Sequence, residues 1–218
     1  ALALGRHMGF RTHNMDGRVG WCEYGEGDEM IAVLSHLDVV PAGDGWAEAG
    51  PFSGEVKNGR IYGRGAMDDK GPAVASLYAL AALKEAGFAP SRRIRILFGT
   101  NEETGCGDMA WYREHGGEMP SMGFTPDGEY PIINGEKGIM NCTYARRLHQ
   151  TGAYRLTRFE GGTASNVSPA YAVAELDCPA DAAGRIAADK VTVTPVEGGV
   201  RVEAQGVSAH GSTPEQGE

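Results

Sequence analysis

No stretch of this sequence holds the roughly 20 consecutive apolar residues that a membrane-spanning helix needs, and its N-terminus lacks the order of charged, apolar and small residues that marks a secretory signal. Those two absences make the cytoplasm the expected location and exclude a membrane as the expected partner. Positive charge is also scarce: 20 Lys and Arg stand against 29 Asp and Glu, for a net charge of −9 and a pI near 5.2. A phosphate backbone would be repelled, so nucleic acid is not an expected partner. Cysteine is sparse, with Cys22, Cys106, Cys142 and Cys178 and no C-x-x-C pair among them. That spacing supports neither a thiolate zinc clamp nor a disulfide framework. Buried thiols are expected, with Cys106, beside two glutamates, the one candidate for reactivity. No internal repeat or low-complexity tract is evident. What is present is a 218-residue chain with 41% hydrophobic residues, enough to build one large or two smaller cores.

The apolar run MIAVLSHLDVV (residues 30–40) reads as a buried strand with a polar tail, Ser35 to Asp38, at its C-terminal end. Asn58-Gly59 between alternating segments predicts a hairpin over residues 53–62. Pro72 to Ala86 has near-helical apolar spacing, proline in the first turn and Gly87 at its end, which predicts a helix. RRIRILFGT (92–100) sets Ile94, Ile96 and Phe98 on one face and Leu97 on the other, so both faces of its sheet should be covered. A short helix over 108–115 and a brief strand ending near Asp127 follow. Strand and helix alternate as in an α/β fold, a layered, mainly parallel sheet with helices on both faces. From about Glu136 the texture changes to mixed strands in NCTYARRLHQ and YRLTRFE, a helix over 181–188 and a hairpin around Gly198-Gly199. This predicts domains over residues 1–135 and 136–218, the second α+β. The sequence opens without Met inside an expected helix, Ala1 to Met8, and stops at STPEQGE with no closing element, so a piece of a longer protein is expected.

Each strand of the first domain ends in acidic residues or histidine: SHLD (His36, Asp38), MDDK (Asp68, Asp69), NEET (Glu102, Glu103) and PDGE (Asp127, Glu129). In open α/β sheets ligands bind at the carboxyl ends of strands, so groups scattered in sequence can converge there. Adjacent carboxylates repel, and a cation of high charge relieves that repulsion. One histidine with several carboxylates suits zinc or a similar divalent ion, and a bridging carboxylate suits a pair. Each motif also has a plainer explanation. His36 alone fits a histidine satisfied at a strand end, Asp69-Lys70 a solvated pair, and Glu102-Glu103 a cap on the following helix. Four acidic strand ends in one sheet are harder to explain singly.

Taken together and in order, SHLDVVPAGDGW, GRGAMDDKGP, GTNEETGCGD, FTPDGEYPIINGEKG and SAHGSTPE resemble the di-zinc aminoacylase and carboxypeptidase G superfamily, most nearly its bacterial Xaa-His dipeptidases of the carnosinase type. The resemblance covers nearly the whole chain. It implies a zinc-exopeptidase-like catalytic domain over 1–135 and part of an α+β lid over 136–218. It also implies two Zn2+ ions, with Mn2+ or Co2+ as alternatives. Matched position by position, His36, Asp68 (bridging), Glu103 and Asp127 would bind metal, and Asp38 would hold the His36 ring. Glu102 would be the general base for a metal-activated water. His210 would stabilise the oxyanion, and Asn166 would hold substrate; without the motif each reads as an ordinary loop residue.

The function this implies is zinc-dependent hydrolysis of dipeptides, with a short peptide as partner and a lid that excludes longer chains. A monomer is expected, a homodimer being the alternative. The rival readings are an N-acyl amino acid deacylase or carboxypeptidase with the same metal centre, and a non-catalytic metal- or peptide-binding homologue. Family members also carry a late zinc-binding histidine and a carboxylate-gripping arginine, neither of which the sequence up to Glu218 contains, so the chain alone is expected to bind zinc poorly or to be inactive.

Overall fold

The computed structural model describes residues 1–43, 45–186 and 188–217. They fall into two compact units, Ala1–Ile133 and Asn134–Glu218. The first is built on a five-stranded sheet in the order β1 (Arg11–Met15), β2 (Val19–Tyr24), β6 (Arg93–Gly99), β3 (Met30–His36), β7 (Met122–Phe124). Strands β6, β3 and β7 are parallel, whereas β1 pairs with β2, and β2 with β6, antiparallel. The expectation of a mainly parallel sheet therefore holds only for the β6–β3–β7 half. For the β1–β2 pair the reason is local: Asp16 and Gly17 both take positive φ, 51° and 70°, in a tight turn, and a turn that short can join only antiparallel neighbours.

Two of the expected elements of this unit are nearly unshifted. The hairpin pairs β4 (Glu55–Lys57) with β5 (Arg60–Tyr62) across Asn58-Gly59, both at positive φ. The long helix, α2 (Lys70–Glu85), starts two residues before Pro72, which sits in the first turn where its missing N–H is no loss. It stops where Gly87, at φ 73°, lets the N–H groups of Gly87 and Phe88 reach back to Lys84 and Leu83 carbonyls.

Alternation along β6 assigns its side chains to two cores. Ile96 and Phe98 pack with Cys22, Val33, Leu77 and Leu80 on the side covered by α2 and by α1 (Leu2–His7). Leu97 packs with Val19, Ala32 and Tyr112 on the side covered by α3 (Gly107–Glu114). Burying a side chain such as Leu77, which has no exposed surface, is worth about 2–3 kcal/mol. Because β3, β6 and β7 run the same way, His36, Gly99 and Phe124 end at one edge of the sheet. The segments that follow them, residues 37–38, 100–103 and 125–127, are thus delivered side by side.

The second unit has a four-stranded antiparallel sheet, β11 (Val191–Val196), β12 (Gly199–Gln205), β10 (Tyr171–Asp177) and β8 (Arg155–Gly161), in that order, with Val173 and Val200 buried. A second ladder joins β9 (Val167–Ser168) to β13 (Ala209–His210). The segment NCTYARRLHQ, expected as strand, has none: residues 132–150 run without helix or strand and are exposed. Of the helix expected over 181–188, the structure has a 3-10 turn followed by α4 (Ala183–Ile186); residue 187 lies outside the described residues. No helix among the described residues is long and apolar enough to cross a membrane. All four cysteines are free, but only Cys22 is buried; Cys106 and Cys142 are exposed and Cys178 is half-buried, contrary to the expectation of buried thiols.

Candidate metal centre

His36 closes β3 and is 3% exposed. Its Nδ1 faces two acceptors, the Asp38 carbonyl oxygen at 3.1 Å and Asp38 Oδ1 at 3.3 Å. Its Nε2 faces two more, Asp68 Oδ1 at 2.9 Å and Asp127 Oδ2 at 3.3 Å. A neutral imidazole has one N–H and one lone pair. With the proton on Nδ1, where Asp38 accepts it, the Nε2 lone pair would face two carboxylates. That arrangement is favourable only if the ring is protonated or a cation lies among these groups. Donor atoms of His36, Glu102 and Asp127, and of His36, Asp68 and Glu103, lie within 4.8 Å of one another. An imidazole with carboxylates is a donor set suited to a divalent ion such as zinc, so the residues fit the metal that the sequence leads one to expect. The two sets share His36, and a neutral imidazole has one lone pair to offer.

The electrostatics reflect the same crowding. Burial opposes protonation of His36, but Asp127, Asp68, Glu102 and Asp38 outweigh it and raise its pKa. Burial, then neighbouring Asp68, raises the pKa of Asp127 despite the opposing pull of His36. Burial also raises that of Glu102; His36 opposes this, while Asp127, Glu103 and Asp68 add to it.

Glu102 and Glu103 lie in a 3-10 turn, residues Glu102–Thr104, and neither caps the next helix: α3 has Cys106 at its N-cap and no side-chain cap bond. The turn is held from below. The Asp38 carboxylate accepts the N–H of Glu102 at Oδ1 and of Glu103 at Oδ2, both at 3.2 Å. Asp108 Oδ2, from α3, accepts the N–H groups of Thr100 and Asn101 just upstream. Glu103 Oε1 in turn accepts the N–H of Val40 at 3.2 Å. Asp68 is carried on the glycine-rich turn before α2, where Gly65 has φ 83° and an added Cβ would lie 2.6 Å from Val39 Cγ1.

Of the site residues expected in this unit, the structure brings together His36, Asp38, Asp68, Glu102, Glu103 and Asp127. Sequence reasoning missed Asp108, whose place in the first turn of a helix gives no sign of its role. The plainer alternative of a solvated Asp69-Lys70 pair does not hold: Asp69 is fully buried, with Oδ2 accepting the His36 N–H at 3.0 Å. No role at the centre was expected of it, because an aspartate immediately before a helix is ordinarily a cap. Cys106 is no activated thiol, because burial together with Glu102, Asp108 and Asp38 raises its pKa. An apolar cleft of about 330 Å³ on the α3 side of the sheet, bordered by Leu34, Met119 and Phe124, is lined by no carboxylate or histidine and is a separate feature.

Asn166 and His210 belong to the second unit, where they lie together: His210 pairs with Val167 across the β9–β13 ladder, and Gly211 N–H donates to Asn166 O at 2.6 Å. A Cβ at Gly211 would lie 3.0 Å from that oxygen, a contact so tight that a larger residue would push the two segments apart by a few tenths of an ångström. The Ser212 N–H donates to His210 Nδ1 at 3.2 Å. In the neutral ring the proton is therefore on Nε2, leaving that nitrogen as a donor.

The family model described as peptidase family M20/M25/M40 matches residues 32–208. The protein named "Putative dipeptidase YtjP" from Bacillus subtilis (strain 168) is 46% identical over 181 residues, which are 82% of this chain and 39% of that protein. The Beta-Ala-Xaa dipeptidase of Lactobacillus delbrueckii subsp. lactis is 42% identical over 180 residues, 82% of this chain and 38% of its own. The chain thus spans well under half the length of the curated relatives it matches. Among solved structures, human carnosine dipeptidase 1 superposes with a TM-score of 0.50 at 24% identity, over 59% of this chain and 32% of that one, a likeness of fold.

Proposed function

Because the chain belongs to the M20/M25/M40 peptidase family, we propose that it carries the metal-binding and proton-transferring residues of a zinc-dependent dipeptidase acting on Xaa-His or β-alanyl dipeptides. The observation that carries this reading is the convergence of His36 with Asp68, Glu103, Asp127 and Glu102 in two overlapping three-residue donor sets. The names of the two curated relatives support a dipeptide substrate. On this reading His36, Asp68, Glu103 and Asp127 would hold two divalent ions, Asp68 serving as a ligand to both; Zn2+ is favoured and Mn2+ or Co2+ would also suit the donors. Since only one ion can use the His36 ring, the other needs a further ligand, and the second histidine implied by the family resemblance would serve. When bound, such ions polarise a peptide carbonyl and make water more acidic.

The remaining steps belong to the protein. Asp38 fixes the His36 ring through Nδ1 and the Glu102–Glu103 turn through its two N–H groups, so one carboxylate sets the relation between an imidazole and the base. Glu102, whose pKa is raised by burial and neighbouring carboxylates, accepts a proton from the attacking water and delivers it to the leaving amine. His210 donates its Nε2–H to the oxygen of the tetrahedral intermediate, and Asn166 holds the substrate; these roles rest on the SAHGSTPE and GGTASNVSP segments and on the tautomer that Ser212 imposes. The second unit serves as the lid in this scheme, and a lid that closes on a short peptide excludes longer ones.

The test is a panel of dipeptides and N-acyl amino acids offered to the metal-loaded full-length protein. Hydrolysis of dipeptides in preference to acylated amino acids is expected. Preferential deacylation, or peptide binding without turnover, would contradict the proposal.

A further inference from the structure

Asp69 is the one fully buried carboxylate among the described residues of the first unit, and no role has yet been assigned to it. It occupies the N-cap position of α2, where aspartate commonly accepts an N–H from the first turn, yet it makes no side-chain cap bond. Its carboxylate turns instead to the end of β3. Oδ2 accepts the His36 N–H at 3.0 Å, while Oδ1 and the Ser35 hydroxyl are both buried without an aligned hydrogen-bond partner among the described residues. Burial raises the Asp69 pKa, while the His36 N–H and then the Ser35 hydroxyl oppose that rise.

The preceding residue grips the same histidine from the other end: Asp68 Oδ1 is 2.9 Å from His36 Nε2. Two consecutive residues thus hold His36 at its main-chain nitrogen and at its ring. Burying a carboxylate with one oxygen unpaired is costly, and the capping role that would ordinarily explain an aspartate here is not performed.

We propose that Asp69 is a positioning residue for the metal centre, locking the Asp68 turn to the end of β3 through the His36 N–H so that His36 Nε2 and the Asp68 carboxylate keep a fixed separation. This rests on the reading of His36 and Asp68 as metal ligands. Outer-shell partners of metal ligands typically govern metal affinity by about 10- to 100-fold. A purely structural link between helix and sheet would affect melting and leave the metal's surroundings unchanged.

The test is titration of Co2+ into the full-length apo-protein, followed by visible absorption and by competition with a chelator, for wild type, Asp69→Ala and Asp69→Asn, with folding checked by circular dichroism. Folded Asp69→Ala should bind Co2+ about 10- to 100-fold more weakly and with an altered ligand-field spectrum. Asp69→Asn, whose amide oxygen can still accept the His36 N–H, should stay within about threefold of wild type. Wild-type affinity and spectrum in folded Asp69→Ala would overturn the proposal, as would an equal loss in Asp69→Asn. If Asp69→Ala does not fold, Ser35→Ala takes its place: weaker Co2+ binding at unchanged apo-protein melting supports the positioning role, and unchanged affinity overturns it. A wild-type protein that binds no Co2+ removes the metal-centre reading itself, a result distinct from binding that is indifferent to Asp69.

Discussion

The two units treat their charged and candidate catalytic residues in opposite ways. In the first, carboxylates are drawn inward and tied to main chain: Asp38, Asp69 and Asp108 accept N–H groups from residues 100 to 103 and from His36. Glu23, 7% exposed, is clasped by Arg95 at 2.6 Å, by Arg11 at 3.0 Å and by Arg93 at 3.3 Å. In the second unit the ion pairs, such as Arg158–Glu160 and Arg155–Asp177, are solvent-exposed, and His210 and Asn166 lie on the surface beside a two-residue ladder. Groups whose separation must be held within tenths of an ångström are braced by buried polar contacts. Those proposed to meet a substrate are fixed only by local turns, which tolerate movement.

The contrast can be broken most severely at Glu102. In the full-length enzyme Glu102→Gln should lower kcat by about 10²- to 10⁴-fold with metal content unchanged; near-normal turnover in steady-state assays would remove its role as base. His210→Ala should cost about 10²- to 10³-fold in kcat. Because His210 is exposed, the melting temperature should not move, and a large shift in calorimetry would show that the histidine braces the fold instead.

Effects on stability should be concentrated in the first unit. Breaking a buried pair by Glu23→Gln should cost about 3 kcal/mol near neutral pH. Burial disfavours the Glu23 carboxylate, but Arg11, Arg95 and Arg93 outweigh it and hold its pKa below the ordinary value. The stabilisation is therefore complete above the unfolded-state pKa of about 4.3 and disappears as pH falls through the lower folded-state value. Denaturation followed at pH 6 and then below pH 4 should show the wild type losing its advantage over Glu23→Gln; a constant gap would refute this. Asp108→Ala should cost about 1–3 kcal/mol by stranding the Thr100 and Asn101 N–H groups. The smallest effect is expected at Arg158→Ala in the second unit, whose exposed partners should leave melting nearly unchanged.

Much of the first unit was legible because its signals are local. The alternation of Ile94, Ile96, Leu97 and Phe98 assigned two covered faces, Asn58-Gly59 gave a hairpin, and acidic residues after β3, β6 and β7 did converge, joined by Asp68 from a turn that ends no strand of that sheet. The Asp16-Gly17 turn was equally local but was passed over, and with it the antiparallel half of the sheet. What could not be read was the direction in which a buried aspartate turns. Asp69 and Asp108 stand at helix starts, where capping explains them adequately, and only the sheet edge packed against them diverts their carboxylates to other backbones. NCTYARRLHQ has the composition of a strand but no partner strand, and pairing is a tertiary fact that periodicity does not carry.

The central claim is that these carboxylates surround His36 because they share divalent cations. Its most direct test is the metal content per chain of the purified full-length protein, measured by mass spectrometry after dialysis against trace Zn2+, for wild type and for Asp68→Ala combined with Asp127→Ala. The account predicts tightly held Zn2+ in the wild type and its loss in the double variant while the circular dichroism spectrum is kept. A wild type that retains no metal, or a variant that retains as much, would contradict it.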